Sequence, residues 1–236
     1  LNVSDLTTKS LINSQLEGEH QLGKKQAKLT WNLNYSNVQR DQPDQRSLDY
    51  RRSLDTQEPF RLIDRNTRRL FSNLDEDTYG AQAAIAFPVK LFDQQSTFKI
   101  GALKQYKQRD FGARIFNYIF VGPSVFERSF TSLPKEKIFE QANISENGFV
   151  LSEFSNNTDS YNANSDLNAG FLLIDNKFGE KIRFVWGVRV ENFQQFLTTK
   201  DVTSKRVVVN TEKWDVLPSF NLTISPNTKN SIRVAA

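Results

Sequence analysis

Arginine is concentrated in one polar stretch of the chain, where it could bind an anionic ligand. The four arginines of interest are Arg46, Arg51, Arg52 and Arg61. Because a guanidinium group forms paired hydrogen bonds with phosphate or carboxylate oxygens, their clustering predicts an anion-binding site in a loop. Five carboxylates are interleaved with them, namely Asp44, Asp49, Asp55, Glu58 and Asp64. This mixture favours the alternative interpretation, a solvated loop whose charges balance.

Residues suited to metal binding or catalysis are sparse. Asp75, Glu76 and Asp77 are consecutive, whereas calcium loops space their carboxylates at alternate positions, so a solvated charge run is the better interpretation. His20 is the only histidine and the chain has no cysteine, which leaves few metal ligands or general bases. There is also no nucleophile elbow and no phosphate-binding glycine loop. We therefore predict no metal site, no cofactor and no enzymatic activity.

The elements that must position any site are β-strands, because much of the sequence alternates apolar and polar residues. The alternation is clearest from Ala27 to Tyr35, from Ile182 to Val190 and from Trp214 to Ile224. A strand points successive side chains to opposite faces, so each of these segments has one apolar face and one polar face. In the segment from Phe98 to Ile115 the alternation changes phase, which predicts a β-bulge.

The connections between the predicted strands alternate between short and long. The long ones run from Asp41 to Arg65, from Asn117 to Ser160 and from about Thr199 to Glu212. The second is expected to contain a short helix from Ser132 to Gln141, and in the third Val207 to Val209 could instead extend a strand. The short ones are turns near residues 18–25, 92–96, 175–180 and 225–230. In an antiparallel meander, alternate connections lie at opposite ends of the sheet. Short turns at one end and long loops at the other are typical of outer-membrane β-barrels.

Composition excludes some classes of protein and leaves others open. The chain has 236 residues, 38% of them hydrophobic, and a formal net charge of +4. No segment approaches the ~20 apolar residues of a membrane helix, which excludes a helical membrane protein. A membrane β-barrel is compatible with these values because its alternating strands average out in hydropathy. The positive charge is too small to predict a nucleic-acid partner.

Two segments resemble the TonB-dependent outer-membrane receptors. They are W-D-V-L-P-S-F-N-L-T-I-S-P-N-T-K-N-S-I-R-V-A-A, residues 214–236, and I-R-F-V-W-G-V-R-V-E-N-F-Q-Q-F, residues 182–196; residues 99–116 are a looser match. The resemblance implies an all-β fold, an antiparallel up-and-down meander of about eight strands that forms part of a larger transmembrane β-barrel. Residues 1–236 would then be one partial barrel domain, because no plug domain is present and the chain ends in mid-strand.

The same resemblance implies a location and a set of partners. Receptors of this family lie in the outer membrane of Gram-negative bacteria, contact its lipid and import siderophores, cobalamin, glycans or similar ligands. Energy reaches them from TonB through the plug domain. The sequence of this segment does not select one of these ligands.

A barrel strand also implies which side chains face lipid. The apolar set from Ile182 to Val190 is expected on the lipid face, and Arg183, Arg189 and Glu191 are expected in the lumen. There they would line a transport path or form ion pairs that fix the barrel against its plug. Aromatic residues at membrane interfaces form girdles, for which the candidates are Trp31, Tyr35, Tyr79, Trp186 and Trp214.

Two other interpretations stay open at the level of sequence. The first is a soluble or periplasmic all-β binding domain, in which a second layer would bury the apolar faces. Its large apolar side chains, such as Trp31, Phe87, Phe184, Trp186 and Phe220, would then be buried. The second is a different outer-membrane barrel, such as a porin.

Overall fold

The computed structural model describes residues 1–23, 27–55, 57–91, 94–123 and 129–236, and these are mostly β-strand. The strands are β1 Asn2–Ser4, β2 Thr8–Leu22, β3 Ala27–Leu48, β4 Tyr50–Arg51, β5 Arg61–Leu62, β6 Arg68–Leu91, β7 Gln94–Phe120, β8 Phe149–Glu153, β9 Ser160–Phe178, β10 Ile182–Lys200, β11 Arg206–Asn227 and β12 Asn230–Ala235. Short 3₁₀ helices occur at Asp64–Asn66, Gln141–Asn143 and Asn157–Asp159. Within the described residues, no helix is long and apolar enough to cross a membrane.

Eight of these strands form an antiparallel meander in the order β2, β3, β6, β7, β9, β10, β11, β12. The short strand β1 pairs with β3 beyond the end of β2, and β8 pairs with β7 beyond the end of β9. The strands β4 and β5 form a separate small hairpin. Each long strand pairs with its neighbours in the chain, as predicted for an up-and-down meander of about eight strands.

The two ends of the sheet differ in their connections. The short-turn end holds the β2–β3, β6–β7, β9–β10 and β11–β12 turns. Parts of the first two, residues 24–26 and 92–93, lie outside the described residues. The opposite end, here called the long-connection end, holds residues 49–67 and 121–159 between β3 and β6 and between β7 and β9. The predicted separation of short and long connections is thus present for these six connections.

The predicted long loop from Thr199 to Glu212 is wrong, and its alternative, a strand extension over Val207 to Val209, is correct. Strand pairing between β10 and β11 continues to Lys200 and Arg206, so a five-residue turn, residues 201–205, joins the two strands. The carboxylate of Asp201 closes this turn by accepting hydrogen bonds from the backbone amides of Thr203 (2.8 Å) and Lys205 (2.9 Å). Outside Val207 to Val209 the segment is mostly polar, and its lack of apolar alternation led to the prediction of a loop where the structure has two paired strand ends.

The predicted β-bulge in β7 is also wrong. Pairing between β6 and β7 runs without interruption from Arg69 opposite Phe116 to Leu91 opposite Gln94. The apolar residues change face along the strand without any extra residue. Up to Tyr106 they lie on the same face as Phe98, and beyond it Phe111 lies on the other face, where its ring centre is 5.3 Å from that of Tyr161. Register shifts occur instead in β3 and β11.

The sheet has an apolar face bounded by two cross-strand rows of mainly aromatic residues. One row contains Tyr35, Tyr79 and Tyr106, and the other contains Phe87, Phe98, Ile174, Trp186 and Phe220. We call the apolar surface between these rows the apolar band, and the opposite side of the sheet the polar face. On β6 the band extends from Tyr79 to Phe87, a length of nine residues. A tilted strand needs about 9–11 residues to cross a membrane.

Side chains of the apolar band are not covered by a second layer in the described structure. Trp186 is 40% exposed, Phe220 39% and Trp214 66%, and Trp31, Phe87 and Phe184 are only partly buried. A soluble sandwich would bury these residues between two sheets. The exposed band therefore contradicts the soluble-domain alternative.

The main apolar core lies at the long-connection end. Leu62, Tyr118, Ile138 and Phe149 form a buried cluster, which we call the loop core. The predicted helix from Ser132 to Gln141 is replaced by turns, in which the amides of Lys137 and Ile138 both donate to the carbonyl of Pro134. These turns place Ile138 in the loop core at 0% exposure.

Candidate functional site

A carboxylate between two cations is the most enclosed charge cluster of the polar face. Glu76 on β6 is 7% exposed and lies opposite Arg109 on β7. Its carboxylate forms ion pairs with Lys107 Nζ at 2.9 Å and with the guanidinium of Arg109. Glu76 points away from Asp75 and Asp77, because neighbours on a strand face opposite sides. The three residues were predicted to form one charge run, although the alternation along β6 separates Glu76 from its two neighbours.

A groove of about 390 Å³ lies beside this cluster on the polar face. Its lining includes Gln105, Lys107, Arg109, Tyr161, Phe193 and Gln195. It combines amide and cationic hydrogen-bond donors with two aromatic rings. Such a surface can bind a ligand that carries both oxygen acceptors and flat apolar groups.

The three residues predicted to face a lumen all lie on the polar face of β10. Arg183 pairs with Asp175 of the neighbouring strand at 2.6 Å, and Arg189 pairs with Glu191 two residues along its own strand. All lie opposite the face of Trp186, in agreement with the alternation of β10. Their charges are paired within the sheet, and their exposure to a lumen stays a prediction.

The four arginines predicted to bind an anion are not gathered into one site. Arg51 and Arg61 lie opposite each other in the β4–β5 hairpin, and Arg52 follows Arg51, whereas Arg46 lies near the end of β3. Each has a local partner: Arg46 pairs with Asp44 at 2.6 Å, Arg51 with Asp49 at 2.6 Å and Arg61 with Glu58 at 2.9 Å, and Arg52 lies 4.7 Å from the ring centre of Phe60. Hydrogen bonds from Arg51 and Asn66 hold the pKa of Asp49 below its ordinary value. Balanced charge is what the solvated-loop interpretation expects; anion binding here stays a prediction.

Arg69 is an anchoring residue that sequence analysis missed. Its guanidinium donates to both carboxylate oxygens of Asp44, at 2.9 and 2.8 Å, and to the hydroxyl of Tyr118 at 3.0 Å. These contacts join β3, β6 and β7 next to the loop core. The partners are 25 and 49 residues away in sequence, so no local pattern indicates them.

The five predicted girdle residues all lie on the apolar face, but at different levels. Tyr35 and Tyr79 have ring centres 5.1 Å apart in the border row at the long-connection end, and Trp214 lies on β11, four strands away from Tyr79. Trp186 lies in the border row at the short-turn end, where its indole donates to Asn176 at 3.2 Å. Trp31 lies between the two rows, and Tyr106 is an additional tyrosine of the first row that the prediction omitted. The function of these residues as a girdle stays a prediction.

The border of the apolar band crosses the strands obliquely. The cross-strand row that contains the three tyrosines continues through Asp166, Gln194 and Glu212. On β9 to β11 the same level is therefore polar, and on β11 the apolar side chains of the band begin only after this level, at Trp214. This displacement towards the short-turn end is expected if the strands are tilted relative to a planar apolar layer, as they are in barrels.

The polar surroundings offer no evident metal site. No group of three or more potential metal-ligating side chains is present among the residues the structure describes. His20 instead accepts a hydrogen bond from the indole of Trp31 at 3.0 Å.

Comparison with known proteins identifies the fold. Residues 126–236 match the Outer membrane protein beta-barrel family. No curated protein matches the chain. Among solved structures, the siderophore receptor PiuA from Acinetobacter baumannii aligns with 98% of this chain and 32% of its own, with a TM-score of 0.65 and 15% identity. The Ferric-Catecholate import receptor Fiu from E. coli K12 aligns with 98% of this chain and 36% of its own, with a TM-score of 0.58 and 11% identity.

The chain thus spans about a third of the length of each of these two receptors. The predicted all-β meander within a transmembrane barrel, the resemblance to TonB-dependent receptor barrels and the outer-membrane location are confirmed. The exposed apolar band has the length that a membrane-crossing strand needs, and its oblique border is the one that tilted strands would have. The chain therefore has the fold of part of an outer-membrane receptor β-barrel, and its location is the outer membrane of a Gram-negative bacterium.

Proposed function

We propose that this chain is part of the barrel wall of a TonB-dependent receptor that imports a siderophore, a glycan or a similar ligand. The observation that carries the proposal is the structural match over 98% of the chain to two import receptors, one for a siderophore and one for ferric catecholates. In this proposal residues 1–236 are one partial barrel domain. The plug that closes the barrel and contacts TonB belongs to the complete receptor.

The charges of the sheet support the assignment of its faces. An arginine on the lipid side near the bilayer centre costs about 2–4 kcal/mol. Arg183, Arg189 and Glu191 all lie away from the apolar band, so orienting this band towards lipid avoids that cost for each of them. The polar face then lines the lumen, where water, plug or ligand can solvate its ion pairs.

The groove beside Glu76 is the best candidate for ligand contact on the lumen side. Arg109 carries five N–H donors, and its contact with Glu76 uses only some of them. Phe193 and Tyr161 add aromatic surface. This combination suits an oxygen-rich ligand with flat rings better than a purely aliphatic one.

The connections support an orientation in the membrane. Outer-membrane barrels place short turns in the periplasm and long loops outside the cell. The connections 49–67 and 121–159, and with them Arg46, Arg51, Arg52 and Arg61, would therefore be extracellular. An epitope inserted after Asn157 should be accessible to antibody on intact cells, whereas one inserted after Thr228 should be accessible only after permeabilisation. The reverse pattern would overturn this orientation.

Uptake measurements test the proposed import. The gene for the full-length receptor is deleted in one strain, and TonB is inactivated in another. Both strains and their parent are then offered radiolabelled ferric siderophores and labelled oligosaccharides. We expect one ligand class to lose energy-dependent uptake both in the deletion strain and in the TonB-deficient strain. Uptake that requires the barrel but is independent of TonB would instead support the porin alternative.

A further inference from the structure

A hollow of about 730 Å³ lies at the long-connection end, on the side of the sheet that bears the apolar band. Its floor includes Asp110 and Gly112 on β7 and Ser160 and Asn162 on β9. Asp110 and Gly112 are on the same face as Tyr106, because β7 pairs with β6 and β9 without interruption over this length. Asp110 lies about 13 Å along the strand from Tyr106, at ~3.3 Å per residue. The hollow, which we call the flank hollow, therefore lies beyond the apolar band on the flank of the wall that faces away from the lumen.

Two projecting parts of the structure enclose the flank hollow. On one side is the end of β8, where Arg114 donates to both carboxylate oxygens of Glu153 at 3.0 and 2.9 Å. On the other side are the extended ends of β10 and β11. The side-chain amide of Asn157 donates to the hydroxyl of Ser204 at 2.8 Å, and this contact links the two sides. The hollow is thus a walled site and not an open patch of the sheet.

Two cations in the flank hollow have no acidic partner. Lys200 and Arg206 lie directly opposite each other on β10 and β11, and neither forms an ion pair with a carboxylate among the described residues. Like charges directly opposite each other destabilise a strand pair. Asp110 lies two strands away on β7, where it accepts a hydrogen bond from the side chain of Asn162. An anionic group between the two cations would remove their repulsion, so this side of the hollow favours an acidic ligand.

The rest of the lining suits the hydroxyl groups of a sugar. Asn73 lies opposite Gly112 and Thr198 lies opposite Asn162, and the side chains of Asn73 and Thr198 make no hydrogen bond with another described residue. Side-chain amides and hydroxyls both donate and accept hydrogen bonds, as sugar hydroxyls do. Gly112 keeps the floor open, because a Cβ atom there would approach only the ends of the Asn73 and Ser160 side chains, at 3.1 and 3.7 Å. An apolar ligand would leave these polar groups without partners.

We propose that an acidic oligosaccharide binds in the flank hollow, with its carboxylate or phosphate group between Lys200 and Arg206. The volume of about 730 Å³ is within the ~300–1,000 Å³ of small-ligand sites. The site is separate from the groove beside Glu76 on the polar face, so it goes beyond the proposed import path. In the proposed orientation the hollow is extracellular. Two sources then offer the same chemistry: the sugar chain of a neighbouring lipopolysaccharide molecule and a free acidic polysaccharide.

Binding to the purified receptor tests the proposal. The full-length receptor is placed in phospholipid nanodiscs free of lipopolysaccharide, and trigalacturonic acid or neutral maltotriose is titrated by calorimetry. Trigalacturonic acid should bind about tenfold more tightly, since only it supplies charged hydrogen-bond acceptors. Lys200→Gln with Arg206→Gln should weaken its binding by about the same factor. Lys181→Gln with Lys229→Gln is the matched control, because it removes two positive charges from turns at the opposite end and should leave binding unchanged.

Gly112→Leu tests the shape of the site without altering any charge. The larger side chain fills the floor and should also weaken binding of trigalacturonic acid by about tenfold. Heat-modifiable gel mobility verifies that each variant is a folded barrel.

Lipopolysaccharide that co-purifies with the receptor from cells identifies the source of the sugar. Less of it on the Lys200→Gln, Arg206→Gln variant than on the control variant indicates a neighbouring lipopolysaccharide, and equal amounts indicate a free acidic polysaccharide. The proposal is overturned if trigalacturonic acid does not bind, if maltotriose binds as tightly, or if the control pair has the same effect as Lys200→Gln with Arg206→Gln. These measurements involve neither TonB nor uptake, so failure of the import proposal and failure of this one can be distinguished.

Discussion

The sheet is stabilised differently in the apolar band and at its long-connection end. In the band, large side chains such as Trp186 and Phe220 remain exposed, and the strands are joined mainly by their backbone ladders. At the long-connection end, Ile138 and Phe149 are completely buried. Thr67 is 1% exposed, and its hydroxyl both accepts from the amide of Tyr118 at 2.9 Å and lies 2.6 Å from the carbonyl of Asp64. One region requires lipid to cover it, whereas the other has a core of its own.

Truncation of the loop core should have the largest effect. Phe149 packs edge-on against Phe120 and Phe139, with ring centres 5.5 and 5.2 Å away, so Phe149→Ala should destabilise this region by about 3–5 kcal/mol. In the full-length receptor, limited proteolysis should cut residues 129–148 faster while the membrane part stays heat-modifiable. Leu54→Ala is the control, since Leu54 is 95% exposed. Simultaneous loss of both regions would show that they are one cooperative unit.

A charge in the apolar band should have the next largest effect. Val188→Arg places a cation on the predicted lipid face and should cost about 2–4 kcal/mol in a bilayer. The measurement is the urea dependence of folding of the full-length receptor into lipid vesicles. Ser219→Arg is the control, because Ser219 lies opposite Gly187 on the polar face. A greater cost for Ser219→Arg than for Val188→Arg would show that the polar face, and not the apolar band, faces the lipid.

The Glu76 cluster lies just beyond the tyrosine row, between the two regions. Glu76→Gln removes the charge that faces Lys107 and Arg109, and we expect a loss of about 1–3 kcal/mol because hydrogen bonds to charged groups are replaced by weaker ones. Amide hydrogen exchange along β6 and β7 measures the change. Asp75→Asn on the exposed opposite face should change exchange little, and equal effects would exclude a specific contribution from Glu76.

Acid should loosen the long-connection end by a smaller amount. Glu153 on β8 accepts hydrogen bonds from Arg114 and Ser155, which lower its pKa from 4.5 to about 2. A lowered pKa in the folded state stabilises β8 above pH 4.5, and this contribution is lost as the pH falls from about 4.5 to 2. Amide exchange at β8 should therefore accelerate, after correction for intrinsic rates, between pH 5 and about pH 2.5. Arg114→Gln should remove most of this pH dependence, and an unchanged dependence would rule out the pair as its cause.

The membrane part of the fold was predictable because lipid imposes a local pattern. The alternation from Ile182 to Val190 predicted both a strand and its two faces, and the polar position of Arg189 follows from it. Outside the membrane this constraint disappears. The polar extensions of β10 and β11 were consequently mistaken for a loop, and the change of apolar face near Phe111 was mistaken for a bulge.

The candidate site was less predictable, because its contacts connect distant parts of the chain. The pairing of Glu76 with Arg109 depends on the register between two strands, and the contact between Arg69 and Asp44 depends on a third. No local spacing encodes either contact. The predicted arginines were recognisable as a group, but the structure gives each of them a local partner.

Strands β10 and β11 extend well beyond the apolar band at the long-connection end, and this extension affects which surface is exposed outside the cell. Lys200 lies ten residues beyond Val190, so the strand continues for about 33 Å at ~3.3 Å per residue, and β11 accompanies it along this length. If the long-connection end faces outwards, this two-stranded part of the barrel wall extends beyond the bilayer surface. Antibodies, phages and polysaccharides that approach from outside would meet its hydrogen-bonded ribbon before they reach the bilayer.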